Sequence, residues 1–99
     1  LINLVLNACE AVRGLDRPRV EIAASLDERG RPVIQVRDNG RGISPENLDK
    51  IFVPFFSTKE GGSGIGLSLS RQIMRLHGGS ISVASRAGQE TVFTLRFKH

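Results

Sequence analysis

The sequence predicts an α+β fold, a two-layer sandwich with helices on one face of a mixed, mostly antiparallel sheet, and three observations predict it. Two pairs of short segments alternate apolar with polar residues on either side of turn-forming connections, as antiparallel hairpins do. Two longer segments repeat apolar residues at helical spacing and stop at glycine. The order is helix, hairpin, irregular stretch, helix, hairpin, and its 99 residues suit one domain with a single core.

The first helix runs from Leu1 through Val12, and Gly14 supplies its stop ahead of an Asp16-Arg17-Pro18 loop. No capping residue precedes it, so it is read as the continuation of an upstream portion, and the chain as N-terminally truncated. Val20, Ile22, Ala24 and Leu26 form the first strand. Val33-Ile34-Gln35-Val36 form the second, after the turn-rich Asp27–Pro32 connection. Residues 39–63 carry one short helix signal, with Ser44 as N-cap and Pro45 in the first turn; an irregular stretch this long reads as a lid or binding loop. Ile65, Leu69, Ile73 and Leu76 share the apolar face of the second long helix, which Gly78-Gly79 ends. Ile81 and Val83, then Phe93, Leu95 and Phe97, alternate around Arg86-Ala87-Gly88-Gln89 as the closing hairpin.

Composition narrows the function. A net charge of +4 suits an anionic partner, but the Lys and Arg residues are scattered and there is no Trp or Tyr to stack on bases. These features argue against nucleic acid, while a nucleotide fits equally well. Cys9 is the single cysteine, so no disulfide forms within the chain and a reducing, cytoplasmic setting is expected. It lies toward the apolar side of the first helix, where a small buried hydrophobe is expected rather than a redox sensor. No apolar run approaches the roughly 20 residues that span a bilayer, so no membrane contact by this segment is expected.

Four stretches carry candidate chemistry. At about 100° per residue Asn3, Asn7, Glu10 and Gly14 fall on one polar stripe of the first helix. That stripe is either the solvent side or a source of carboxamide oxygen for Mg²⁺, a hard cation that prefers oxygen. Asp38-Asn39-Gly40-Arg41-Gly42 puts a carboxylate at a strand end, with glycines where backbone turns or approaches a ligand; it also reads as an ordinary Asp-Asn-Gly turn. Gly61-Gly62-Ser63-Gly64-Ile65-Gly66-Leu67 runs into a helix, where free N–H groups meet the positive end of the helix dipole, and it is either a phosphate cradle or a flexible loop. It is not a P-loop, since no Gly-Lys-Ser/Thr follows. Phe52 and Phe55 read as a satellite core, and Lys59 reaches phosphate or solvent.

In chain order, Asn3–Ala11, Asp38–Gly42, Phe52–Lys59 and Gly62–Leu67 resemble the asparagine box, first glycine box, phenylalanine box and second glycine box of the GHKL superfamily of ATPases and kinases. The resemblance is closest to the catalytic domains of sensor histidine kinases, and it covers nearly the whole chain. It implies a Bergerat fold. It implies further that Asn7 coordinates Mg²⁺, that Asp38 binds the adenine amino group, and that Gly40 and Gly42 shape the adenine pocket. Gly64 and Gly66 would approach the phosphates, and Thr91 matches a hydroxyl position near the adenine. The nucleotide site so implied also takes in Ile43, Phe52, Lys59, Gly62, Ile65 and Leu67, with Asn3, Asn7 and Lys59 as the catalytic positions.

Members that hydrolyse ATP carry Glu four residues before the metal-binding Asn; here that residue is Asn3. With no carboxylate there to activate water, transfer of the γ-phosphoryl group to histidine is the better reading. The resemblance therefore implies an ATP-dependent protein histidine kinase domain using ATP and Mg²⁺. Its partners would be the dimerisation and phosphotransfer helices of a parent kinase, itself membrane-anchored or not, and then a response regulator. The phosphoacceptor His motif lies outside this sequence; His77 ends a helix and His99 is terminal, so neither takes its place. A second reading is a nucleotide-gated interaction module with no chemistry of its own.

Overall fold

The computed structural model describes residues 2–40, 42–48, 50–53, 66–86 and 89–98, with Ile2, Asn3 and Gly66 described by their backbone. In chain order the elements are α1 (Ile2–Ala11), β1 (Val20–Leu26), β2 (Pro32–Asp38), α2 (Pro45–Leu48), α3 (Gly66–Leu76), β3 (Ser80–Arg86) and β4 (Glu90–Arg96). Both expected hairpins form, and β2 pairs with β4 to join them into one sheet of order β1-β2-β4-β3. The pairings among the described strands are antiparallel. Val36 stands opposite Ile22 on one side and Phe93 on the other, and Leu95 opposite Ile34 and Ile81, so the alternating apolar residues of all four strands share one face.

Local chemistry explains the connections. The Asp27 carboxylate accepts the N–H groups of Arg31 and Arg29, each at 2.9 Å, and the Arg31 guanidinium at 3.1 Å. These contacts, the Arg31 N–H foremost, hold its carboxyl below the ordinary range and close the β1–β2 turn. Ser44 starts α2 as expected, its carbonyl accepting the N–H groups of Asn47 and Leu48. At the end of α3 the Gly79 N–H reaches the Met74 carbonyl at 2.8 Å and the Gly78 N–H reaches that of Arg75 at 3.1 Å, the paired bonds of a Schellman stop.

The core forms where the helices cross the sheet: α1 lies on β2, and α3 on β3 and against α1. Leu4 and Ala8 of α1, Met74 of α3 and Ile51 meet Val36, Ile81, Phe93 and Leu95. Strand β4 is buried from Thr91 through Leu95 on both faces, because β2 and β3 flank it. Strand β1 lies at the edge, where α1 touches it and Val20 packs on the core, but its inward-parity residues Ile22 and Leu26 are 55% and 69% exposed.

Two expectations from the sequence are corrected. Cys9 is exposed, because α1 presents Leu4, Ala8 and Val12 inward and Cys9 lies off that line. On α3 the apolar face read from spacing is the outer one: Leu69, Ile73 and Leu76 are 46%, 46% and 77% exposed, while Met74 is buried and Leu67 packs on the core. The helix carries two apolar stripes, and the one holding Met74 meets β3; Ile65, expected on the other, lies outside the described residues.

Candidate functional site

Three polar side chains line up across three strands at one end of the helix-covered face. Asp38 on β2 stands directly opposite Thr91 on β4, which stands opposite Ser85 on β3. Each continues the inward parity of its strand, behind Val36, Phe93 and Val83 respectively. Asp38 and Thr91 are each 4% exposed. A buried carboxylate is costly, and burial pushes the Asp38 pKa up, against a Gly40 N–H that donates to Oδ1 at 2.9 Å and favours the ionised form.

The glycines after Asp38 are dictated by close approach. A methyl group on Gly40 would stand 2.7 Å from the Ala11 carbonyl oxygen at the end of α1, and 2.9 Å from Asp38 Oδ1. Gly42 has φ 74°, and a methyl group there would strike the Arg86 carbonyl. The loop is thus wedged between α1 and the end of β3. One residue on, the Ile43 N–H donates to Ser85 Oγ at 2.7 Å, and Ser85 Oγ also lies 2.9 Å from the Glu90 carbonyl and 3.1 Å from Thr91 Oγ1. On the other side Asn39 ties down the approach to β1: its Oδ1 accepts the Arg19 N–H at 2.7 Å and its Nδ2 donates to the Arg17 carbonyl at 2.8 Å.

The remaining expected residues divide in two. Asn7 is half-buried on α1, one turn before the Ala11 that abuts Gly40 and on the same side of the helix. Glu10 is exposed, and Asn3 lies within α1. Ile43, Phe52 and Leu67 are half-buried against the core, the Phe52 ring under the Arg71 guanidinium at 5.2 Å, and Gly66 opens α3. Lys59, Gly62, Gly64 and Ile65 lie outside the described residues. Ser85 and Asn39 were not singled out as site residues from sequence. The signal for Ser85 was its parity: a hydroxyl two residues beyond Val83 on an otherwise apolar inward row.

The family model described as histidine kinase-, DNA gyrase B-, and HSP90-like ATPase matches residues 1–99. The sensor histidine kinase ZraS of Escherichia coli K12 is 43% identical over 98 residues, covering 96% of this chain and 20% of its own length. The signal transduction histidine-protein kinase AtoS of the same organism is 40% identical over 95 residues, covering 96% of this chain and 15% of its own. The chain thus spans a fifth or less of these curated relatives. Among solved structures, the nucleotide-free catalytic domain of the histidine kinase ThkA matches 97% of this chain and 61% of that one, with TM-score 0.81 and 37% identity. Full-length ShkA in complex with AMPPNP matches 96% of this chain and 20% of its own, with TM-score 0.79 and 30% identity.

Proposed function

This chain belongs to the family of histidine kinase-, DNA gyrase B- and HSP90-like ATPases, most like the catalytic domains of sensor histidine kinases, and from that premise we propose that it binds Mg-ATP and phosphorylates a histidine on a separate helical segment. The observation that carries the proposal is Asp38, a buried carboxylate at a strand end with one oxygen held by Gly40. An exocyclic amine offers the donor that such a group lacks in an apolar site, and Thr91, directly across the strand pair, adds a hydroxyl for the base edge. Gly40 and Gly42 keep that wall free of side chains.

The triphosphate then extends toward α1 and the start of α3. The Asn7 carboxamide suits a hard cation and adds no negative charge beside the phosphates. A bound Mg²⁺ would neutralise phosphate charge there. Lys59, Gly62, Gly64, Ile65, Gly66 and Leu67 are proposed to enclose the phosphates, where Lys59 supplies positive charge and the start of α3 free N–H groups. In the reaction an imidazole nitrogen forms a bond to the γ-phosphorus as the bond to the bridging oxygen breaks, and ADP leaves. Asn3, in place of a carboxylate, gives water no base, so transfer is favoured over hydrolysis.

The outer stripe of α3, Leu69, Ile73 and Leu76, supports a helical partner, since an exposed apolar row at helical spacing suits docking on another helix. The histidine-bearing dimerisation helices are the proposed occupant, and a response regulator receives the phosphoryl group from them. No described helix is long and apolar enough to cross a membrane; a cytoplasmic position for this segment is part of the proposal. Calorimetric titration of Mg-ATP into the chain tests the reading, with saturable binding expected and loss of it in Asp38→Ala. Adding a histidine-bearing helical hairpin with radiolabelled ATP then separates the kinase from a nucleotide-gated module: label on the hairpin is expected, and its absence despite binding favours the module.

A further inference from the structure

The cross-strand row leaves one member without a task in nucleotide binding. Ser85 stands two strands from Asp38, yet its single oxygen meets three separate parts of the site. It accepts the Ile43 N–H at 2.7 Å, donates to the Glu90 carbonyl at 2.9 Å, and lies 3.1 Å from Thr91 Oγ1. We propose that Ser85 is a positioning residue of the adenine pocket, tying the Gly42–Ile43 loop to the β3–β4 hairpin and orienting the Thr91 hydroxyl beside Asp38. The inference rests on the ATP-binding reading above.

Proton accounting shows what the arrangement does. A serine hydroxyl has one proton to give and two lone pairs to offer. Ile43 takes one lone pair. The Ser85 proton goes to the Glu90 carbonyl at 2.9 Å, so its second lone pair is left to take the Thr91 hydroxyl proton at 3.1 Å. The Thr91 hydroxyl, held in place by Ser85, has one proton that a bound base with a ring-nitrogen acceptor draws off that lone pair. Adenine offers an amine donor beside a ring-nitrogen acceptor, so a carboxylate acceptor next to a hydroxyl donor complements it; guanine reverses both and meets the wrong partners. Ser85 therefore bears on base discrimination through Thr91, without touching the base. Its hold on Ile43 acts in parallel: Gly42 fits against the Arg86 carbonyl only while the loop is drawn up to the strand end.

The test is nucleotide binding by the full chain and its Ser85→Ala and Ser85→Thr variants, titrated with Mg-ATP and Mg-GTP, with thermal melting alongside. Loss of a hydrogen-bonding hub in Ser85→Ala is expected to weaken ATP by about tenfold and to shrink the preference for ATP over GTP, while Ser85→Thr, which keeps the hydroxyl, stays within about threefold of the parent. Ser85→Ala binding ATP within twofold of the parent overturns the proposal. So does a lowered melting temperature with the ATP to GTP ratio unchanged, since a purely structural loss weakens both nucleotides alike. If the parent chain itself fails to bind ATP, the functional reading falls together with this one; if the parent binds and Ser85→Ala matches it, only this one falls.

Discussion

Replacing two of the left-handed glycines, Gly14 and Gly42, by alanine separates backbone strain from collision within one protein. Both have positive φ, 86° and 74°, so alanine at either pays the left-handed penalty of roughly 1 kcal/mol, partly offset by a stiffer unfolded chain. Around Gly14 nothing lies within 4 Å of an added methyl group, and the cost ends there. At Gly42 the methyl group strikes the Arg86 carbonyl and comes within 3.0 Å of Ser85 Oγ, adding about 1–3 kcal/mol for forced displacement of a strand end. The total of about 2–4 kcal/mol corresponds to a fall in melting temperature on the order of 10–20 °C for a domain this size. Gly14→Ala should fall by no more than about 5 °C on the same scale. Thermal melts followed by circular dichroism, checked by urea midpoints, measure the difference. Equal melting temperatures for the two variants would refute the idea that the loop is wedged against β3.

Asp38→Asn should melt higher than the parent at pH 7, because it removes a buried charge, and yet bind no Mg-ATP in calorimetry. The pH dependence has a definite sign. A folded-state pKa raised above the ordinary 3.8 means that the native chain holds this proton more tightly than the unfolded one, so Asp38 makes stability fall as pH rises from 3.8 through the raised value, and level off above it. Urea midpoints across that range should show this decline in the parent and lose it in Asp38→Asn, while ATP affinity in the parent weakens as pH falls and the carboxylate is neutralised. On α3, Met74→Ala should cost about 2–4 kcal/mol in urea unfolding. Changing Leu69, Ile73 and Leu76 together to serine should leave stability within about 1 kcal/mol and ATP binding intact, and should lower only phosphotransfer to a helical acceptor.

The strands were legible because alternation is a strong signal when one face is buried: Val36, Phe93 and Leu95 announce both their strands and their direction. Helix α3 was legible as a helix but not in its rotation. Leu67 and Met74 compete with Leu69, Ile73 and Leu76 for the sheet, and nothing local says which row wins. Cys9 failed for a related reason, since α1 is apolar nearly all round and only contact with β2 selects the line through Leu4, Ala8 and Val12. Asp38, Gly40 and Gly42 were singled out by their resemblance to a glycine box, and at the two glycines close approach of Ala11 and Arg86 restricts the residue types allowed. Ser85 carried only its parity as a signal, because its role arises from three neighbours at sequence separations from 5 to 42.

The sheet is unequal from edge to centre, and that inequality has a consequence for how the molecule breathes. Amides of β4, paired on both sides and covered above and below, should exchange with solvent only through global unfolding, while those of β1, paired on one side and exposed along nearly its whole length, should exchange through cheap local opening. The row Asp38, Thr91 and Ser85 spans β2, β4 and β3 and bypasses β1. Fraying of β1 therefore leaves the row paired, and Asp38 and Thr91, the residues proposed to read the base, stand on the two inner strands.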